Sequence, residues 1–232
     1  MTRAATAKKP KAIASHASRH TRRKQATRDR LVAAAFELMA ERGADAVAIN
    51  EITEAADVGI GSFYNHFDTK ESLYAAVMDE VFEGFADALD RLVSGIEDPA
   101  EIISVCVRHA ILRARREPLW GRFLMREGLS ARALSRGLGV RLIRDVQKGI
   151  VAGRFRVADL MMTVVAVGSA VIGAIAIQQP EPEIAKATKQ LKLDVTDVPE
   201  RAATVLLQIL GLGAGDAGRI ARRPLPVVDG QS

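Results

Sequence analysis

Apolar residues recur along most of the chain at the three- and four-residue spacing of an amphipathic α-helix. This spacing predicts that ordered structure begins near Thr27 and that a first helix stops at Gly43, a residue suited to helix C-termini. Sustained alternation of apolar and polar residues, which would predict strands, does not occur in the sequence. The pattern therefore predicts an all-α fold. The residues that define the first helix face are Leu31, Val32, Ala35, Phe36 and Met39.

Two short helices separated by a three-residue turn follow the first helix. The first of them lies around Ile52 and the second spans residues 60–67, where Phe63 and Phe67 share one face. Two short helices around a tight turn are typical of a helix-turn-helix motif, here at residues 47–66. The second helix is about 10 Å long at 1.5 Å per residue, and it would fit a major groove about 12 Å wide.

A long fourth helix is predicted to open with a capping box at residues 68–71 and to end near Gly95. Residues 181–198 read as a polar connector with at most one short helical turn. The tail from Gly213 has no helical period. Further helices are predicted at residues 100–116, 118–128, 132–152, 158–178 and 199–211.

Charge is distributed unevenly along the chain. The net charge is +5, yet residues 1–30 contain ten basic residues and one acid, so the remainder is slightly acidic. A basic segment favours a polyanionic partner such as DNA, because neutralised phosphates release counterions. A solvated tail that aids solubility is the alternative for residues 1–20, and the sequence leaves both open.

If Phe63 and Phe67 anchor the second short helix, its other residues face outward. Serine and asparagine can hydrogen-bond base edges, isoleucine can contact a thymine methyl group, and glycine permits close backbone approach. Tyr64, His66 and Lys70 are placed to flank the groove near phosphates. The predicted contacts to double-stranded DNA are therefore Ile60, Gly61, Ser62, Tyr64, Asn65, His66 and Lys70.

Residues 52–73 resemble the DNA-binding signature of the TetR family of transcriptional regulators. The resemblance implies that the helix at residues 60–66 reads the major groove and that Tyr64, His66 and Lys70 contact or support the DNA backbone. The positions that match the signature are Tyr64, His66, Phe67, Lys70, Glu71 and Leu73.

Three residues depart from that signature. Asp57 stands where the family usually has glycine, and aspartate tolerates the left-handed conformation better than most residues. Ala48 replaces a serine or threonine, so a helix cap of about 1 kcal/mol is lost. Gly59 replaces a serine, so any DNA contact there is expected from its backbone. These departures bear on the operator sequence rather than on the fold.

The body resembles the family in outline, through residues 148–159 before the predicted helix at 158–178. The resemblance implies a homodimer built from the helices at residues 158–178 and 199–211. Residues 160–177 are apolar nearly all round, so this helix must be covered on every side. The alternative is a membrane span, but Thr163, the following glutamines and the lack of flanking aromatic residues favour a buried dimer core and no membrane.

The resemblance also implies an apolar small-molecule effector inside the body. Ordinary core packing is the alternative for each candidate residue. His109 follows Cys106 by three residues, but two ligands do not make a zinc site, and neither a metal nor a cofactor is expected. The candidate effector-binding residues are Phe82, Phe85, Cys106, His109, Trp120, Phe123, Met125 and Met162.

The chain thus divides into a disordered basic arm (residues 1–24), a helix-turn-helix domain (25–72), a helical ligand-binding and dimerisation domain (73–212) and a disordered tail (213–232). Glycine-rich phosphate loops, nucleophile elbows and zinc-protease motifs do not occur in the sequence, so an enzyme is not expected. One cysteine and no apolar leader favour the cytoplasm. The leading hypothesis is a homodimeric repressor that binds a palindromic operator and is relieved by the effector. The alternative is an effector-independent architectural DNA-binding protein.

Overall fold

The structure, a computed structural model, describes the backbone of residues 11–179 and 182–226 and side chains from Thr21 onward. Every regular element in these residues is a helix, which confirms the predicted fold class. The N-terminal part of the chain, here called the head, contains α1 (Lys11–Arg42), α2 (Ile49–Ala55), α3 (Ile60–Tyr64) and α4 (Lys70–Met78). The body contains α5 (Gly84–Leu92), α6 (Pro99–Arg116), α7 (Pro118–Glu127), α8 (Ala131–Ser135), α9 (Gly137–Val151), α10 (Leu160–Ala176), α11 (Pro182–Gln190), α12 (Val198–Ile209) and α13 (Ala214–Ala221).

The first helix begins at Lys11, earlier than the sequence pattern predicted. The predicted disordered arm at residues 1–24 therefore differs from the structure over residues 11–24, and residues 1–10 lie outside the described part. Alanine, lysine and arginine make up eight of residues 11–24, and neither proline nor glycine interrupts the helix before Gly43. These residues have high helix propensity, so a helix needs no apolar face to extend there.

Helix α4 continues into α5 through a π-helical segment, Asp79–Glu83. The N-cap of α4 is Thr69, one residue later than the predicted Asp68. Thr69 Oγ1 accepts the backbone N–H of Ser72 at 3.2 Å, and Ser72 Oγ accepts the N–H of Thr69 at 3.3 Å. The capping box is therefore formed by Thr69 and Ser72 instead of Asp68 and Glu71.

Helix α6 lies at the centre of the body and packs against α7, α9, α10, α12 and α13. The buried core continues from the head into the body. Phe36 of α1 and Phe123 of α7 meet edge to face, with ring centroids 5.4 Å apart. Head and body therefore share apolar contacts, and a displacement of α7 would change the packing around α1.

Two further segments contain more helix than predicted. The connector contains α11, which is longer than a single turn. The tail contains α13, whose Ala217, Ile220 and Ala221 are buried against the body. The apolar side of α13 is mostly alanine and glycine, so it gives only a weak hydrophobic period. Residues 227–232 of the predicted disordered tail lie outside the described residues.

None of the helices that the structure describes is both long enough and apolar enough to cross a membrane. Helix α10 is apolar, but it has 17 residues. Met161, Met162 and Ser169 lie exposed along it, and Gly173 has open space beside its α-carbon. Val205 and Ile209 of α12 are also exposed. The two helices that the sequence assigned to a dimer interface thus present apolar and small side chains to solvent in the single chain.

Candidate nucleic-acid interface and body cavity

The turn between α2 and α3 is closed by a left-handed residue. Asp57 has φ of 51°, its N–H donates to Glu54 O at 3.0 Å, and the N–H of Val58 donates to Thr53 O at 2.9 Å. This pair of bonds is the Schellman arrangement that satisfies the last carbonyls of a helix. The predicted tolerance of aspartate at this position agrees with the structure.

Helix α3 is held to the head by Phe63 within it and by Phe67, three residues beyond its end at Tyr64, whereas the sequence predicted a helix through residue 67. Phe63 is fully buried and Phe67 nearly so, with ring centroids 5.9 Å apart. The same helix leaves Ile60 45% exposed and Tyr64 56% exposed. Large apolar and aromatic side chains held outward on a short, anchored helix are suited to contact with a partner surface.

Two glycines make the start of α3 accessible from outside. A β-carbon added at Gly59 or Gly61 would meet no atom within 4 Å. Gly59 occupies the N-cap position without a side-chain cap. The backbone here is open to a flat or curved partner surface, as expected from sequence. Ser62, Asn65 and His66 complete the outward face and are at least partly exposed.

Basic residues of α1 lie beside the end of α3. The Arg28 guanidinium lies 5.5 Å from the centroid of the Phe67 ring. Burial lowers the pKa of His66, and the positive charges of Lys24 and Arg28 lower it further. Lys24 and Arg28 therefore belong to the candidate DNA surface. This placement is not among the contacts predicted from the sequence, although the spacing of four residues between Lys24 and Arg28 in a basic stretch is a usable signal.

Lys70, a predicted DNA contact, has its ammonium group turned to the head. Its Nζ donates to the carbonyl oxygens of Ala44 at 3.0 Å, Val47 at 3.0 Å and Asp45 at 3.4 Å. An ammonium group has three protons, so these acceptors can occupy all of them. In this structure Lys70 joins the start of α4 to the loop between α1 and α2.

An apolar cavity of about 120 Å³ lies in the body between α6, α7, α9 and α10. Its walls are mostly leucine and valine, and Cys106 is the polarisable group among them. The lining includes Leu89, Cys106, Leu124, Leu129, Leu142 and Val167.

A charged network lies next to the cysteine side of the cavity. Arg144 pairs with Asp90 at 2.7 Å and with the buried Asp145 at 2.8 Å, and Arg141 also pairs with Asp90 at 2.7 Å. Burial raises the pKa of the Cys106 thiol to about 12, and the charges of Asp145 and Asp90 act in the same direction. The cavity is thus apolar with charged groups near one side.

Of the eight predicted effector-binding residues, Cys106 lines this cavity. Phe82, Trp120 and Phe123 are buried in the aromatic core, and Met125 is partly buried against it. Phe85 stacks under the guanidinium of Arg113 at 4.8 Å. These side chains do not line this cavity, and Phe85 borders a separate pocket together with His109.

The other two predicted effector-binding residues lie elsewhere. Met162 is 54% exposed, because the cavity side of α10 is formed by Val164 and Val167 instead. His109 Nε2 lies 3.1 Å from the carbonyl oxygen of Pro226, so the ring nitrogen donates to the C-terminal segment. Among the described residues there is no group of three or more histidine, cysteine or acidic side chains arranged to hold a metal.

Two family models match the chain. One, described as bacterial regulatory proteins of the tetR family, matches residues 31–77. The other, described as a tetracyclin repressor-like C-terminal domain, matches residues 98–223, more than half of the chain. The matches cover the helix-turn-helix and most of the body.

Relatives with names and solved structures agree with these matches. The transcriptional repressor KstR2 of Rhodococcus jostii is 37% identical over 84 residues, which are 34% of this chain and 39% of KstR2. The repressor DhaR of a Mycobacterium species is 37% identical over 75 residues, or 32% of this chain and 36% of DhaR. The chain thus spans about two fifths of the length of the curated relatives it matches.

The crystal structure of RolR in complex with its ligand resorcinol is 36% identical to this chain, with a TM-score of 0.65. It covers 90% of this chain and 99% of the RolR chain. The transcriptional regulator HlyIIR, at 19% identity and a TM-score of 0.57, shares the fold over 79% of this chain and 98% of its own.

Proposed function

The chain belongs to the TetR family of bacterial regulatory proteins, and from this premise we propose that it is a homodimeric repressor that binds a palindromic operator. The observation that carries the proposal is the exposed face of α3, anchored by Phe63 and flanked by Lys24 and Arg28. A short helix with outward Ile60 and Tyr64 can enter a major groove while neighbouring cations contact phosphates.

The dimer is proposed to form through α10 and α12. Their exposed residues include Met162, Gly173 and Val205, and an apolar stripe with small residues lets a second helix pair approach closely. A two-fold dimer presents two α3 helices to two half-sites, which is why the operator is expected to be palindromic.

The effector is proposed to be a small, largely apolar molecule bound in the body cavity. The cavity of about 120 Å³ suits a single ring with few substituents. The name of the RolR structure specifies resorcinol as its ligand, which is a molecule of that size class. An effector relieves repression only if it binds the DNA-free arrangement of the two heads more tightly than the DNA-bound one.

Selection of bound duplexes from a random DNA pool, followed by gel shifts, tests the DNA-binding proposal. We expect a palindromic sequence to be enriched and Tyr64→Ala to lower the affinity for it at least tenfold. The control is Val151→Ala, since Val151 is exposed on the body and this variant should bind as the parent does. Binding without any enriched sequence would contradict the proposal and favour the architectural alternative.

Sedimentation of Val205→Asp tests the interface, because a charge on the exposed stripe of α12 should yield monomers. Val151→Asp places the same charge on an exposed part of the body, and it should remain dimeric. If Val205→Asp sediments like the parent, the proposed interface is wrong.

A further inference from the structure

The C-terminal end of α7 faces two parts of the molecule at once. Leu124, Gly128 and Leu129 line the body cavity. Arg126 and Glu127, which lie between Leu124 and Gly128 in the sequence, border a different cleft, which Met39 of α1 and Tyr74 of α4 also line. Side chains that lie within a few residues of each other on one helix end therefore contact either the cavity or the DNA-binding head. A displacement of this helix end therefore changes the cavity wall and the contacts with the head at the same time.

Arg126 is bonded to the last turn of α1. Its Nε donates to the carbonyl oxygen of Ala40 at 3.2 Å and its Nη2 donates to that of Glu41 at 2.9 Å. The last carbonyls of a helix lack donors from within the helix, and a cation there also interacts favourably with the helix dipole. Arg126 thus fixes the body to the helix that precedes the helix-turn-helix.

Glu127 is bonded to the helix that follows the helix-turn-helix. The hydroxyl of Tyr74 in α4 donates to the Glu127 carboxylate. Burial raises the pKa of Tyr74, and the hydrogen bond to Glu127 raises it further, so the phenol keeps its proton. Lys70, also in α4, joins the same helix to the loop after α1. The two helices that frame α3 are therefore held to each other and to the end of α7.

The cavity wall at this end is tightly packed. A β-carbon added at Gly128 would lie 2.9 Å from the side-chain atom Leu124 Cδ1 and 3.4 Å from Ile172 Cδ1 of α10. A ligand that presses on the buried Leu124 therefore meets little free space on the side of α10, and close-packed interiors transmit such displacement to neighbouring groups. Arg126 and Glu127 follow Leu124 by two and three residues on α7, so their hydrogen bonds to α1 and α4 are the polar contacts nearest to it in the sequence.

We propose that Arg126 and Glu127 are positioning residues that couple occupancy of the body cavity to the orientation of the DNA-binding head. This inference rests on the proposed function, since it supplies the contacts through which an effector changes DNA affinity. With the cavity empty, the two residues hold α1 and α4 in the DNA-binding arrangement. With the cavity filled, the end of α7 moves and takes both helices with it.

The test uses a cavity occupant that needs no knowledge of the effector. Cys106 lines the cavity and is the single cysteine of the chain, so Cys106→Phe places a benzyl group there. We expect Cys106→Phe to lower the affinity for the selected operator at least tenfold. In the Arg126→Gln background the same change is expected to lower it less than threefold. Arg122→Gln, on the same helix, is the matched control and should retain the tenfold loss.

A second occupant of the cavity keeps the test decisive if Cys106→Phe does not fold. Benzyl methanethiosulfonate is added in excess until mass spectrometry shows one label on Cys106 of the folded parent chain, and the label fills the cavity through a disulfide that dithiothreitol removes. We expect the operator affinity to fall on labelling and to recover on reduction, and both changes to shrink below threefold in the Arg126→Gln protein. Thermal melting identifies any background that does not fold, in which case Glu127→Gln replaces it.

Two results overturn the coupling proposal while leaving the proposed function in place. One is an unchanged operator affinity in the parent when Cys106 bears either occupant. The other is an equal loss in the parent and in the Arg126→Gln and Glu127→Gln backgrounds. Failure of the parent chain to select any operator would instead contradict the proposed function itself, so the two failures are distinguishable.

Discussion

The ammonium nitrogen of Lys70 lies 3.0 Å from the carbonyl oxygen of Val47, just before α2. This bond and the ones to Ala44 and Asp45 hold the start of α4 against the segment that leads into the helix-turn-helix. Lys70 therefore acts on DNA binding through the arrangement of the head, whereas Lys24 is exposed beside His66. The two lysines should respond differently to the same substitution.

Lys70→Gln should lower the free energy of unfolding by about 1–3 kcal/mol, because buried or partly buried carbonyls lose a charged donor. Lys24→Gln should leave unfolding unchanged. If Lys24 neutralises one phosphate, its loss reduces the slope of log affinity against log salt by about 0.9, and Lys70→Gln keeps the parent slope. Urea melts and gel shifts at several salt concentrations measure both. Equal salt slopes in the parent and in Lys24→Gln would contradict the phosphate contact.

Asp57 is a second position where backbone geometry makes a sharp prediction. Because φ at this position is 51°, an alanine there destabilises the folded state by about 1–2 kcal/mol, the cost of the left-handed conformation, whereas glycine adopts this conformation freely. Asp57→Ala should therefore be less stable than Asp57→Gly by about 1 kcal/mol in urea unfolding. Glu54→Ala, which changes an exposed side chain on α2, is the control. Equal stability of the two Asp57 variants would show that the turn relaxes out of the left-handed region.

The head could be predicted from the sequence because its signals are local. The spacing of Phe63 and Phe67 identifies the buried side of the segment that contains α3, and predicting the short turn at Asp57 requires no knowledge of distant residues. The sequence predicts that Lys70 contacts phosphates, whereas the structure shows it bonded to carbonyl oxygens more than twenty residues away in the chain. Sequence spacing does not reveal such a contact.

The cavity could not be predicted at the level of residues. A helical period identifies an apolar face, but the rotation of one helix against its neighbours decides which member of that face meets a void. In α7 the structure places Phe123 against Phe36 and the next residue, Leu124, in the cavity. In α10 it turns Val164 inward and Met162 outward. Single-residue differences of this kind are set by tertiary packing.

The pKa of His66 predicts a pH-dependent affinity for DNA. Burial and the charges of Lys24 and Arg28 lower this pKa below the usual value of about 6.5, so the free protein carries a neutral ring at pH 7. A nearby phosphate favours the charged ring and raises the pKa in the complex. Proton uptake on binding means that the affinity rises as the pH falls through the interval between the two pKa values.

Gel shifts between pH 8 and pH 5.5 at constant salt measure this dependence of DNA affinity on His66. The rise in affinity on acidification should be reduced in His66→Gln. His109→Gln is the matched control, because that ring is bonded to Pro226 in the body, and it should keep the parent profile. A His66→Gln profile that superimposes on the parent would remove His66 from the phosphate surface.

Cys106 gives a direct measure of access to the cavity. Burial raises the pKa of its thiol to about 12, so much less thiolate is present at pH 8 than in a free thiol with a pKa of about 8.5. Since the thiolate is the nucleophile, iodoacetamide should label the native chain at least a hundredfold more slowly than the urea-unfolded chain. A small apolar molecule that enters the cavity should slow the native reaction further and leave the unfolded reaction unchanged. Mass spectrometry of quenched samples follows both rates, and equal labelling of the native and unfolded chains would mean that the cavity side of α6 is open to water.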